Sequence, residues 1–179
     1  MKALEFKTIL LVVACYLIVF SAGILHINLI NKAQSQELTT DSNDNSIPAA
    51  LSIPNIQLEV LIEDGQYDQE SDSWNISDSF AYYAKESQPL SSKLGNTVIY
   101  AHNKNHLFGN LRDLSPGDTA EIIDANGFSY QFTYQTNIET SPKDTSVFYS
   151  DDFHQLVLIT CSGFFDQYRS LYFFSAINK

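Results

Sequence analysis

Apolar positions fall into two unlike regimes along the chain. From Thr8 to Asn31, 24 consecutive residues carry no charge, and Ile9 to Leu25 are nearly all apolar. A helix needs roughly 20 such residues to cross a bilayer, so residues 8–31 predict one N-terminal transmembrane helix. Lys2, Lys7 and the terminal amine outweigh Glu5, and the positive-inside rule then keeps residues 1–7 in the cytoplasm. The competing reading is a cleaved secretory signal. Ser21-Ala22-Gly23 is a poor cleavage site, and the run exceeds the ~7–15 apolar residues of a signal core. Either way the rest of the chain lies outside the cytoplasm. Residues 32–47 are polar with almost nothing to bury and predict a flexible linker. One folded domain, 48–179, follows.

Within that domain the period is mostly two. Asn96-Thr-Val-Ile-Tyr-Ala-His102 is a β-branched run opened by Gly95. Ala120 to Asp124 is a short strand, and Asp124-Ala-Asn-Gly127 makes a turn. Phe128 to Tyr134 alternates aromatic with polar residues, as a half-buried strand does. Gln155 to Thr160 and Ser170 to Ile177 are two further buried-strand runs. His106 to Leu114 predicts one or two helical turns, ended by Ser115-Pro116-Gly117-Asp118. Short strands between Gly and Pro turns predict an all-β domain, a closed barrel or a sandwich.

Charge and cysteine count narrow the function. The 179 residues carry a formal net charge of -11, a poor match to nucleic acid, whose phosphates demand basic patches. Two cysteines supply neither a disulfide framework nor a zinc cluster. Cys15 belongs to the apolar segment, which leaves Cys161 as the one thiol of the domain. It ends the Leu156 to Thr160 strand where Ser162-Gly163 begins a turn. Free cysteines are often simply buried, but an unpaired extracytoplasmic thiol at a strand end is also a candidate nucleophile.

His102 ends a second apolar strand in the same way. If the two strands are neighbours, their ends meet, and a nearby imidazole raises the thiolate fraction. His106 and His154 read as ordinary surface or rim histidines. Arg169 lies eight residues after Cys161 and opens the next strand. A hairpin would set it beside the thiol, where a guanidinium can hold a carbonyl and a developing oxyanion. A strand-capping surface arginine is the plainer reading, and Arg112 is taken as solvated.

These residues carry a family resemblance. Leu158-Ile-Thr-Cys161 followed by Arg169 resembles the Thr-Leu-x-Thr-Cys…Arg signature of sortases, with Val157 at the first Thr. Ile53-Pro54-Asn55-Ile56 is similar to their Ile-Pro-x-Ile opening strand. Gly95 to His102 resembles the strand that ends in Gly-His, with Ala101 in place of the glycine. Phe108 to Asp118 matches Phe-x-x-Leu-x-x-Leu-x-x-Gly-Asp. The Asp-Pro-aromatic lid of pilin-polymerising sortases is not matched. Asp72-Ser-Trp74 is the nearest fragment and lacks the proline; together with Trp74-Asn-Ile-Ser77 and Ala81-Tyr-Tyr83 it resembles class D, E or F relatives more than class C.

The resemblance implies a closed eight-stranded sortase-type β-barrel with short helical turns. It implies a catalytic Cys161–His102–Arg169 site, supported by Thr160, Ala101 and Ser162. It implies a cysteine transpeptidase that takes a C-terminal LPXTG-like sorting signal and passes it to an amine acceptor on a peptidoglycan precursor or a pilin. It implies a single-pass membrane protein with its catalytic domain outside the cell, and no cofactor. Calcium is considered because some sortases bind it. Glu63-Asp64, Asp68, Glu70, Asp72 and Asp151-Asp152 are acidic, but none has the spacing of a calcium loop. Two other functions remain open: a hydrolytic cysteine peptidase, and a non-catalytic tethered β-domain for adhesion or assembly.

Overall fold

The computed structural model describes residues 46–68, 73–150 and 152–177. The expected anchor, the cytoplasmic residues before it and the linker up to residue 45 lie outside the described residues. Among the described residues no helix is long and apolar enough to cross a membrane.

Among the described residues ten strands form: β1 (Pro48–Ile53), β2 (Leu58–Gly65), β3 (Tyr67–Asp68), β4 (Ser73–Trp74), β5 (Ala81–Ala84), β6 (Asn96–Tyr100), β7 (Thr119–Asp124), β8 (Ser129–Thr140), β9 (Gln155–Ser162) and β10 (Tyr168–Ala176). Eight of them close a barrel in the order β1-β2-β5-β6-β9-β10-β8-β7, and β3 pairs only with β4. Closure leaves the barrel itself no free sheet edge. It also resolves the choice between barrel and sandwich in favour of the barrel. Short 3-10 turns connect the strands at Pro54–Ile56, Phe108–Asp113, Ser146–Tyr149 and Phe164–Asp166.

The strands read from periodicity are present, with shifted ends. Phe128 is not in β8. Asp124 Oδ1 accepts from the amides of Asn126 (2.8 Å) and Phe128 (2.9 Å), and Gly127 sits at φ +86. That side-chain-capped turn holds Phe128 out in solvent. β8 also runs on to Thr140, past the last alternating residue. Its second half pairs with β10 from Phe173↔Thr136 to Arg169↔Thr140, and it is exposed. Polar residues suffice there, so hydropathy does not mark it.

Two cores lie on opposite faces of the same strands. The barrel interior holds Leu51, Ile53, Ile99, Phe132, Leu156, Leu158 and Phe174. On the outer face of β6, β9 and β10, Val98, Val157 and Leu171 join Ala84 and Val147 in a second buried cluster. These strands are therefore covered on both faces, which is why Leu156-Val-Leu158 is continuously apolar. Ser46 and Ile47 already belong to the packed domain. Ser46 is buried, with its hydroxyl accepting from the Ser91 amide (2.6 Å), and Ile47 packs on the barrel core.

Strand direction fixes where the ends fall. β9 is parallel to β6, β6 antiparallel to β5, β5 parallel to β2, and β2 antiparallel to β1. β1, β6 and β9 thus run the same way. The chain enters the barrel at Pro48 on the end opposite to His102 and Cys161.

Candidate active site

β6 and β9 are parallel neighbours in register from Asn96↔Gln155 to Tyr100↔Ile159. The seam continues past the last pair. The Ala101 amide donates to the Ile159 carbonyl (3.1 Å), and the Thr160 hydroxyl donates to the Ala101 carbonyl (2.9 Å). Ala101 and Thr160 are both buried, so this stitch holds the two strand ends side by side. The next residue on each strand is His102 or Cys161. Asn103 Nδ2 adds a bond to the Cys161 carbonyl (3.0 Å). Nothing in the sequence pattern marked Asn103 for this role.

Cys161 pairs directly with Arg169 across the β9–β10 hairpin. The intervening turn is tight: Gly163 has φ +79, and a Cβ there would lie 2.7 Å from the Tyr168 ring. Phe165 and Asp166 follow with φ of 56 and 57. Nη1 of Arg169 donates to the carbonyls of Asp166 (2.9 Å) and Tyr168 (3.0 Å). Both hydrogens of that nitrogen are thereby committed, which holds the guanidinium plane and leaves Nε and Nη2 with capacity to spare.

The loop after His102 is pinned from below. The Phe108 amide donates to the His102 carbonyl (3.2 Å), while Leu107 and Gly109 both donate to Lys104 (2.8 Å each). A Cβ on Gly109 would lie 2.7 Å from the Lys104 carbonyl carbon, so only glycine allows this approach. Leu107, Phe108 and Leu111 anchor the 3-10 turn in the core. The Phe108 to Asp118 segment therefore acts as a plug beneath the histidine loop.

His102, Cys161 and Arg169 open onto one cleft of about 850 Å³, together with Ala101 and Thr160. Its floor is the outer face of β6, β9 and β10, at Tyr100, Ile159 and Leu171. Its walls come from the segment around Trp74 and from residues 140–149. Trp74 stacks on Phe148 with ring centroids 6.0 Å apart and meets Tyr100 edge-on at 5.2 Å. Trp74, the described end of the Asp72-Ser-Trp74 fragment, thus sits over the cleft.

Electrostatically the thiol is a balance. Burial pushes the Cys161 thiol up, Arg169 pulls it down, and the Asp166 carboxylate pushes it up again. Ser162, expected to support the site, has its hydroxyl oxygen buried without a hydrogen-bond partner. His102 has Asp78 as its charged neighbour, with Nε2 3.7 Å from Oδ1.

The remaining histidines differ from each other. His106 lies on the surface, bonded through Nε2 to the Asp78 carbonyl (2.7 Å). His154 is at the far end of the barrel and is half-buried rather than superficial. It is hydrogen-bonded to Thr97 Oγ1 (2.9 Å) and set edge-on to Phe132.

No group of three or more His, Cys, Asp or Glu side chains among the described residues could hold a metal ion. Asp64 instead pairs with Lys85 at 2.7 Å. Glu70, Asp72, Asp151 and the Asp68 side chain lie outside the described residues.

A strand-end cysteine, a strand-end histidine and an arginine share one cleft of a closed eight-stranded barrel, an arrangement chemically suited to acyl transfer through a thiol. The Sortase domain family model matches residues 51–176, and the chain belongs to the sortase family of cysteine transpeptidases.

Solved structures share the fold. The pilus-related sortase C of Group B Streptococcus aligns with TM-score 0.62 at 22% identity, covering 74% of this chain and 68% of that one. Sortase A from Corynebacterium diphtheriae gives 0.61 at 23%, covering 80% and 66%. Sortase C-1 from Actinomyces oris gives 0.61 at 18%, covering 83% and 82%. None of the curated proteins compared matches the sequence.

Proposed function

We propose that this chain is a membrane-anchored sortase that cleaves an LPXTG-like C-terminal sorting signal and transfers the protein to an amine. The observation that supports it most is the register that sets Arg169 opposite Cys161, with His102 ending the strand next to β9. In this reading the Cys161 thiolate attacks the carbonyl carbon of the signal's threonine. The S–C bond forms while the Thr–Gly bond breaks. Nε and Nη2 of Arg169 hold the carbonyl and the oxyanion that develops on it. His102, as imidazolium, gives its proton to the departing glycine amine. An incoming amine on a peptidoglycan precursor or pilin then attacks the thioester. His102 takes the amine's proton, and the Cys161 sulfur leaves as thiolate.

Thr160 and Ala101 serve by holding the two strand ends together, and Ser162 by closing the strand beyond the nucleophile. The uncharged residues 8–31 would form the anchor, with the N-terminus in the cytoplasm and the barrel outside. The experiment incubates purified protein with an LPXTG peptide, with and without triglycine. A ligated LPXT–triglycine product that Cys161→Ala abolishes is expected. Hydrolysed peptide alone, unchanged by triglycine, would make the protein a peptidase, and full ligation by Cys161→Ala would remove the nucleophile assignment.

A further inference from the structure

The loop between β4 and β5 carries one residue that grips the histidine loop three ways. Asp78 Oδ2 accepts from Lys104 Nζ at 2.5 Å, its Oδ1 lies 3.7 Å from His102 Nε2, and its backbone carbonyl meets His106 Nε2 at 2.7 Å. No sequence pattern singled this residue out, and the sortase signature motifs quoted above do not include it. The hydrogen bond from Lys104 is the main cause holding the Asp78 carboxyl below the usual carboxylate range; the charges of Lys104, His102 and His106 act the same way. The carboxylate therefore stays ionised while the site works.

We infer that Asp78 is a positioning residue for His102, whose carboxylate aims the imidazole and favours its protonated form, with Lys104 setting how much of that charge the ring feels. This rests on the proposed acyl-transfer reading, in which His102 must be an imidazolium when the amine leaves. The 3.7 Å separation is an ion-pair distance rather than a hydrogen bond. It acts on the ring through charge, and the effect is sensitive to salt.

The other charges near the ring do not replace Asp78. Lys104 and His106, on its own loop, and Arg169, on β10, oppose a positive ring. Lys143 and Asp144, across the cleft on the connection after β8, carry opposite signs. Glu86 also lines the cleft, from the turn after β5, and no ion pair with His102 forms. Cys161 on β9 becomes negative only as its thiol ionises. Asp78 is thus the carboxylate paired with the ring among the described residues.

The test is the pH profile of kcat/KM for LPXTG-peptide ligation in wild type, Asp78→Asn, Asp78→Glu and Lys104→Gln. An imidazole ionises at lower pH than a thiol, so the acid limb of the profile reports the ring. Asp78→Asn should move that limb about half a pH unit lower and reduce the plateau roughly threefold, the size expected for a partly exposed charge pair. Asp78→Glu should restore most of both. Lys104→Gln should move the limb the opposite way, because it removes a positive charge and frees the carboxylate.

A loop held merely for its shape predicts something else. Both Asp78→Asn and Lys104→Gln would then lower the rate with the limb unmoved, and that result overturns the inference. Limbs shifting in the same direction in the two variants would overturn it as well. Absence of any Cys161-dependent ligation by the wild type would instead overturn the proposed function on which it rests.

Discussion

A thiol half-withdrawn from water ionises reluctantly, and Cys161 feels Asp166 as well as burial on that side of the balance. Arg169 is its counterweight. Alkylation of Cys161 by iodoacetamide should keep accelerating with pH up to and beyond about pH 8.5, the ordinary thiol value, without an earlier plateau. Arg169→Gln should make the thiol slower at every pH below that, since the cation that favours the thiolate is gone. A plateau near neutral pH in the wild type would show a thiolate stabilised by something other than Arg169. Arg169→Lys should lower kcat/KM for ligation by about 100-fold or more, because a point ammonium cannot keep two backbone carbonyls and an oxyanion in one plane; a loss under threefold would show that geometry is unimportant. Cys161, His102 and Arg169 were legible in the sequence because each sits at the end of an apolar run. Asn103 and Asp78 were not, because each is a polar loop residue whose partner is fixed only by tertiary contact.

Elements, rather than single residues, bring the site together. The parallel β6–β9 seam and the β9–β10 hairpin share one strand, so a shift of β9 by one residue would turn Cys161 inward and misplace it against both neighbours. The Thr160–Ala101 bond locks that register where the strands end. Thr160→Val keeps the shape but strands a buried carbonyl, so unfolding in urea should show a loss of about 1–3 kcal/mol, with ligation falling as well. Unchanged stability would mean that the seam does not depend on this bond. The β2–β5 pair has its own lock: a Cβ on Gly65 would lie 2.6 Å from the Tyr83 carbonyl and 2.7 Å from the Tyr100 hydroxyl. Gly65→Ala should therefore cost about 1–3 kcal/mol through overpacking and disturb Tyr100 in the cleft floor. Strands buried on one or both faces announce themselves by hydropathy, as Leu156 to Leu158 do. β2, β3, β4 and the outer half of β8 did not stand out. The outer half of β8 is exposed and pairs with β10, far along the chain; β3 and β4 are two residues each; and in β2 the exposed Leu61 interrupts the alternation of buried Leu58, Val60 and Ile62 with Glu59 and Glu63.

At the scale of the whole molecule, the barrel separates the rim that carries Cys161, His102 and Arg169 from the end where residue 48 enters it. The entry end carries the His154–Thr97 contact beneath Phe132, and burial lowers the His154 pKa below its ordinary value. A histidine held neutral in the fold takes up a proton more readily once unfolded. Its contribution to stability is complete above about pH 6.5, the unfolded value, and is lost as pH falls toward the depressed folded value. Asp144, held down to about 2 chiefly by the Thr140 hydroxyl, keeps its contribution above its unfolded value near pH 4 and loses it only as pH falls from there toward 2. The urea midpoint should therefore fall between pH 7 and pH 5, and His154→Gln should flatten that decline; equal slopes in the two proteins would remove His154 as the cause. A barrel that still folds at mildly acidic pH lets activity and stability be measured apart. The most direct measurement of the account is intact mass spectrometry of the protein mixed with an LPXTG peptide and quenched in acid. The account predicts an adduct of the peptide's acyl fragment on Cys161, released by hydroxylamine, discharged by triglycine and missing from Cys161→Ala. Peptide turnover with no such adduct, or an adduct that persists in Cys161→Ala, would contradict it.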